Sequence, residues 1–198
     1  MTAHQWPPLP ESIQTPRLHL RRYRLTDAED VFAYAHDPVW ARFLPGVPRP
    51  YERRHADEFV AAHVLKDWRT EQHWALEHEG RVVGRVGLTP EPRHGRAELG
   101  YELARWLWGR GLITEAASAV VHEAFTKLPL RKVLAHAISA NVGSTRVMEK
   151  VGMRHEVTLR RHWVFHGRAY DAANYGILRE EWERNAEKPS GGENAQLP

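Results

Sequence analysis

Gly109 and Gly111 flank Arg110 immediately ahead of an apolar-periodic run that opens at Leu112. A helix N-terminus carries about half a positive charge and several unpaired backbone N–H groups. Glycine lets the chain turn so that those groups converge, and the missing side chains let an anion reach the backbone. The chemistry on offer is the binding of a phosphate or pyrophosphate, with Arg110 as an outer charge; the same spacing also serves a bare strand-to-helix turn. Two nucleotide motifs fit poorly. A P-loop needs Lys and Ser/Thr opening the helix, where this chain has Leu112 and Ile113. A dinucleotide-binding turn wants a small residue at position 114, which is Thr114, inside an early repeating β-α-β pattern. The 13 histidines show no ligand spacing, so no metal is expected, and the absence of cysteine rules out a disulfide framework.

The elements that must position this turn follow from periodicity. Residues 16–25 alternate Leu18 and Leu20 with Arg17, His19 and Arg21, a half-buried strand. Residues 26–29, "TDAE", read as a capping box for a helix that stops near His36. Pro38, Pro45, Pro48 and Pro50 then punctuate an apolar, aromatic loop before a helix over 51–68, whose buried face carries Ala56, Phe59, Val60, His63 and Val64. A hairpin turning at Glu79-Gly80 and a further strand, "GRAELGYEL", follow. Behind the glycine turn, Leu112, Ile113, Ala116, Ala117, Val120, Val121, Ala124 and Phe125 line one helical face. "RKVLAHAIS" is a strand parallel to the one before that helix, because the two enclose a β-α-β unit. Asn141 caps a short helix that Gly152 ends in left-handed conformation, and a last hairpin turns at His166-Gly167.

Composition sets the class. With 198 residues, 42% hydrophobic and 27% charged, one globular domain is expected. A net charge of +3 is too small to argue for nucleic acid, and the arginines are dispersed rather than striped. No run reaches membrane-spanning length and the start lacks a basic region followed by an apolar stretch, so a cytoplasmic protein is expected. Residues 1–14 read as an N-terminal extension, 15–185 as the domain, and 186–198 as a disordered tail.

The whole order resembles the GCN5-related N-acetyltransferase superfamily, and within it the RimJ/RimL-like branch. The pieces that carry the likeness are "TPRLHLRRYRLTDAEDV" at the first strand and helix, "AELGYEL" at the fourth strand, "WGRGLITEA" at the acyl-CoA loop, "NVGSTRVMEKVGM" and the closing "REEW". The superfamily's loop pattern, Gln/Arg-x-x-Gly-x-Gly/Ala, falls on residues 108–113; Trp108 and Ile113 depart from it, although Trp is usual at the first position in this branch. The resemblance implies an α/β fold with a mixed, mostly antiparallel central sheet, its fourth and fifth strands splayed, flanked by helices. It implies acetyl-CoA as co-substrate, with Trp108, Gly109, Arg110, Gly111, Leu112, Ile113 and Thr114 around the pyrophosphate. The backbone of Glu102 and Leu103 would pair with the pantetheine arm, Asn141 would cap its helix and help hold that arm, and Ser144 would lie near the thiol.

Acetyl transfer to an amine needs a neutral amine, an oxyanion donor and a proton for the leaving thiolate. Glu98 is the first choice for the base or amine-orienting group, against the alternative of a surface carboxylate, and His136 on the neighbouring strand is the second. The helical Tyr that many superfamily members use as acid is replaced by Met148, which leaves Ser144, a residue that also suits a simple helix start. Trp40 and Tyr101 are the candidate acceptor contacts. With no cysteine to carry the acyl group, direct attack is expected. The acceptor is an amine on a protein N-terminus or small molecule, the partner neither nucleic acid nor membrane, and the assembly a monomer or homodimer. A non-catalytic acyl-CoA-binding or sensing protein is the alternative.

Overall fold

The computed structural model describes residues 6–165 and 167–187. Eight strands form one sheet: β1 (Ser12–Gln14), β2 (His19–Arg21), β3 (Gln72–His78), β4 (Arg81–Glu91), β5 (Arg96–Leu103), β6 (Lys132–Ile138), β7 (Arg154–Phe165) and β8 (Arg168–Leu178). Their spatial order is β1-β2-β3-β4-β5-β6-β8-β7, and every neighbouring pair is antiparallel except β5 with β6. The helices are α1 (Ala28–Ala35), α2 (Arg53–Leu65), α3 (Leu112–Lys127), α4 (Val142–Lys150) and α5 (Arg179–Glu187). The mixed, mostly antiparallel α/β architecture is the expected one.

Local chemistry explains the joints. Glu79 and Gly80 both take positive φ, 52° and 78°, so the β3–β4 hairpin closes in the two-residue turn that matches strand twist. Trp74, Val86 and Tyr101 stand opposite one another across β3, β4 and β5, as do Leu88 and Leu99, and this face joins the fully buried Ala116, Ala117, Val120 and Ala124 of α3 in one core. His73, Arg85 and Glu102 occupy the other face by strand alternation. Tyr34 of α1 reaches Glu102 there, and the His63 ring of α2 lies 5.0 Å from that of His73.

β5 and β6 pair over three rungs only, Arg96 with Lys132, Ala97 with Val133 and Glu98 with Leu134. Beyond Glu98 they diverge, although β5 runs to Leu103 and β6 to Ile138. This is the splay expected between the fourth and fifth strands; the short β1 ahead of them raises both numbers by one.

Several boundaries differ from expectation. The strand expected over residues 16–25 is only β2, His19–Arg21, and Leu25–Asp27 is a 3-10 turn. The box at residues 26–29 does not form, because Asp27 takes its place: one carboxylate accepts the Arg24 N–H at 2.8 Å and the Arg21 guanidinium at 2.8 and 2.9 Å. Within the segment read as an extension, Leu9 is buried, its carbonyl accepts from the Trp68 indole and that of Pro10 accepts from Trp74. α5 carries the chain to Glu187; the rest of the expected tail and the turn residue His166 lie outside the described residues.

Candidate active site

Gly109 and Gly111 both sit at φ 77°, the left-handed region that costs an L side chain about 1–2 kcal/mol. A Cβ on Gly109 would meet nothing within 4 Å, and one on Gly111 only the Arg17 guanidinium at 3.6 Å. The glycines face open space, where a side chain would occupy the volume an anion needs. The first intrahelical bond of α3 runs from Glu115 N–H to the Gly111 carbonyl at 3.0 Å, and Gly111 supplies no side-chain cap. Helix geometry therefore leaves the N–H groups of Leu112, Ile113 and Thr114 without intrahelical partners.

The turn is tied from outside by residues that the motif does not contain. Glu115 accepts from the Thr15 hydroxyl at 2.6 Å, from Arg17 N–H at 2.9 Å and from Arg17 Nε at 2.6 Å, while Arg17 also donates to the Arg110 carbonyl at 2.8 Å. Burial works against the Glu115 charge, but these donors hold its pKa below the ordinary carboxylate range. The Arg17/Glu115 pair could have been suspected only from two charges far apart in sequence, so nothing local announced it.

Strand alternation sorts the next residues. Ala104 N–H donates to the Val83 carbonyl at 2.7 Å. The two-residue repeat of an antiparallel ladder then commits the backbone of Glu102 to β4 and turns that of Tyr101 and Leu103 toward the gap before β6. Leu103, one of the two residues expected to offer backbone to a pantetheine arm, is in position to do so; the backbone of Glu102 is not, and its largely buried carboxylate faces Tyr34 and Arg85. The Trp108 indole donates to the Leu103 carbonyl at 2.8 Å, which gives the branch's Trp a structural task.

Across the gap, Asn141 caps α4 by accepting the Ser144 N–H at 3.3 Å. Tyr101 Oη lies 3.0 Å from Ser144 Oγ and 2.9 Å from the Ser144 carbonyl. Burial pushes the Tyr101 phenol up to about 12, against the opposing hydrogen bond to Ser144, so it is protonated near neutrality. When it donates to the carbonyl, Ser144 can donate to it; when Ser144 turns its proton elsewhere, the phenol can donate to Ser144 in turn. The phenol missing from position 148 is thus supplied to the site by β5.

These pieces enclose a cleft of about 460 Å³. Its walls include Trp40, Tyr101, Glu102, Leu103, Trp108, Gly109, Gly111, Leu112, Ile113, Asn141 and Ser144. Glu98, His136, Arg110 and Thr114 are the nominated residues that stand outside it. Arg110 lines a separate hollow of about 310 Å³ beside Trp106 and Arg81. Glu98 lies at the last paired rung before the splay, its Oε1 3.4 Å from His136 Nδ1, so the two candidate bases face each other and not the cleft. Arg42 and Phe43, which the sequence did not single out, also line the cleft.

A second hollow adjoins the cleft and shares Trp40, Leu44 and Glu102 with it. Arg85 Nη2 lies 3.4 Å from Glu102 Oε2 and Arg85 Nη1 the same distance from His73 Nδ1. Burial opposes the Arg85 charge, and the Glu102 carboxylate together with the neighbouring Tyr23 and Tyr34 phenols outweighs it, holding the guanidinium pKa above its ordinary value. The nearby imidazoles yield to burial: His63 falls to about 4 and His73 to about 2. Among the described residues, no group of three or more His, Cys, Asp or Glu could hold a metal ion, and no helix is long and apolar enough to cross a membrane.

Residues 17–154 match the family model described as an acetyltransferase (GNAT) domain. The chain belongs to the GNAT acetyltransferase family. A Bacillus licheniformis relative, named uncharacterized N-acetyltransferase p20, is 26% identical over 175 residues, spanning 87% of this chain and 98% of its own. An acetyltransferase structure from T. thermophilus superposes with TM-score 0.78 at 26% identity, covering 88% of this chain and 93% of that one. RimL, the ribosomal L7/L12 α-N-protein acetyltransferase solved with coenzyme A, shares the fold at TM-score 0.75 and 15% identity, covering 87% and 98%. The protein is a GNAT N-acetyltransferase, and acetyl-CoA is its co-substrate. The reading as a non-catalytic acyl-CoA sensor gives way to an acyltransferase.

Proposed function

We propose that this acetyltransferase moves the acetyl group to a primary amine by direct attack, with Glu102 receiving and orienting the amine and Ser144, backed by Tyr101, protonating the departing sulfur. The observation that carries this reading is that Glu102, Tyr101 and Ser144 all line the same cleft, with Ser144 Oγ and the Tyr101 phenol 3.0 Å apart. Acetyl-CoA supplies an activated carbonyl. The amine gives its proton to Glu102 as the C–N bond forms, and the C–S bond breaks as the sulfur takes a proton from Ser144; Tyr101 restores the Ser144 proton and is itself reprotonated from solvent, to which Glu102 releases the proton it took from the amine. Gly109, Gly111 and the free N–H groups of Leu112, Ile113 and Thr114 fit the pyrophosphate, and the backbone of Leu103 with Asn141 fits the pantetheine arm. Arg110 would then act from outside the wall, as a long-range charge.

An α-amine suits this machinery. With a pKa of roughly 7.7–8.0, about a tenth of it is neutral at pH 7, whereas lysine at about 10.4 is almost wholly charged. RimL is described as an α-N-protein acetyltransferase, and a protein α-amine is the acceptor class proposed here as well.

The test is thiol release from acetyl-CoA with an α-amine peptide, comparing Glu102→Gln, Glu98→Gln and Ser144→Ala. A general acid or base contributes typically 10²–10⁴-fold. Glu102→Gln is expected to lower kcat/KM for the amine about 10²-fold and Ser144→Ala to lower kcat by a similar factor, with the acetyl-CoA dissociation constant kept. If Glu98→Gln is the damaging variant and Glu102→Gln is silent, the base is the Glu98/His136 pair at the apex of the splay.

A further inference from the structure

The hollow behind Trp40 measures about 480 Å³, within the size range of small-molecule sites. It adjoins the cofactor cleft, and Trp40, Leu44 and the largely buried Glu102 line both. We infer that it takes the acceptor, and that it selects a primary amine borne on an apolar group up to the size of an aromatic ring, with no second positive charge. The inference rests on the transferase reading above.

Negative charge is scarce along its walls. Among the described residues, only two carboxylates line the hollow, Glu102 and Glu58. Glu102 already faces the Arg85 guanidinium at 3.4 Å, and Glu58 is exposed at the rim, where water screens it. The phenols add no negative charge near pH 7. Burial pushes Tyr51 up to about 12, with Glu102 adding to the shift, and it raises Tyr34 well above its ordinary value. One amine can therefore be met, by the carboxylate that takes its proton. A second ammonium, as in a polyamine or an aminoglycoside, would be stripped of water with no carboxylate of its own to face.

What surrounds that single polar point is apolar and stiff. Tyr34 and Trp40 pack edge to face at 5.2 Å, Trp40 is buried, and Phe59 lies under the Arg85 guanidinium at 5.9 Å. Flat aromatic walls held in fixed orientation bury a ring well and offer a thin chain little. The same chemistry arrives on a free arylalkylamine or on a peptide whose first residue has a large apolar side chain.

The experiment uses the full chain at saturating acetyl-CoA with four acceptors: 2-phenylethylamine, a tripeptide amide beginning with Phe, one beginning with Gly, and spermidine. Expected is a kcat/KM at least 100-fold higher for the better ring-bearing amine than for spermidine. Of the two, 2-phenylethylamine leading marks a free amine as the source, and the Phe peptide leading marks an N-terminus. Spermidine or the Gly peptide in first place overturns the inference. Val47→Asp, on the half-buried lip of the hollow, adds an unbalanced carboxylate and is expected to narrow the ring-to-spermidine ratio about tenfold; an unchanged ratio shows that the acceptor sits elsewhere and overturns the inference too. Binding is read separately through indole NMR signals of the coenzyme A-loaded protein. A ring amine that binds there but yields no product overturns the transferase reading and upholds the pocket's preference, whereas failure of both ring amines to bind overturns the preference.

Discussion

The two hollows on either side of Trp40 are built of different material. In the cleft proposed for the cofactor, the groups offered to an anion are mostly backbone, namely two left-handed glycines, a helix N-terminus, the gap-facing edge of β5 and the capped start of α4, set among apolar residues such as Phe43 and Val147. The hollow behind it is made of side chains from α1, α2, β4, β5 and the loop between the helices, among them Tyr34, Tyr51, Phe59, Arg85 and Glu102. A site made of backbone holds a ligand common to a whole family, since changes of side chain leave it standing. A site made of side chains can be respecified residue by residue, and that is where one member's acceptor is decided.

Acid is expected to part the two regions most. His63 and His73 lie beneath the side-chain hollow with pKa values lowered to about 4 and about 2, so both are neutral in the fold and bind protons more readily once unfolded. Their contribution is complete above the ordinary histidine value of about 6.5 and is lost as pH falls below it. From pH 7 to pH 5 the two together would remove at most ~4 kcal/mol by linkage. Urea midpoints across that range check the slope, and His73→Gln should flatten it by about half. An unchanged slope in that variant would mean that the histidines do not set the acid limit.

Gly111→Val strikes the other region. It adds a left-handed β-branched residue and fills the anion's space, so the acetyl-CoA dissociation constant is expected to rise about 100-fold, the backbone cost alone being about 1–2 kcal/mol. Isothermal titration of the folded variant measures it, and an unchanged constant would break the picture of a backbone-built cleft. Arg17→Ala is the gentler version. It leaves the glycines intact and removes their outer tie, and a rise of about fivefold in the same constant is expected, in keeping with a partly exposed ion pair. A loss as large as that of Gly111→Val would shift the weight from backbone to side chain.

The same division explains what could be read from the chain alone. The cleft was legible because its parts are contiguous and each has a local physical cause: "WGRG" before a helical face, Asn141 three residues before Ser144, alternation along "AELGYEL". The side-chain hollow was not, because Arg85 and Glu102 look like any strand residues until the sheet sets them side by side, and Tyr51 and Phe59 look like helix-start and core residues. Alternation did place Glu98 and Glu102 on one face, but which of the two carboxylates meets the cleft depends on where the strands part, which no local signal in β5 or β6 gives. Trp40 was the exception, betrayed by its place among prolines.

Three rungs join β5 to β6, and beyond them the sheet is a pair of plates with a slot between. Tyr101 and Leu103 present ladder groups to that slot with no strand opposite them. An extended amide-bearing arm lying there would do what a neighbouring strand does, so that the substrate becomes, for the lifetime of the complex, a piece of the protein's secondary structure. The seam between the plates would then stiffen on loading and soften on release. Slowed amide exchange at Tyr101 and Leu103 with coenzyme A present would record the ligand acting as the molecule's ninth strand.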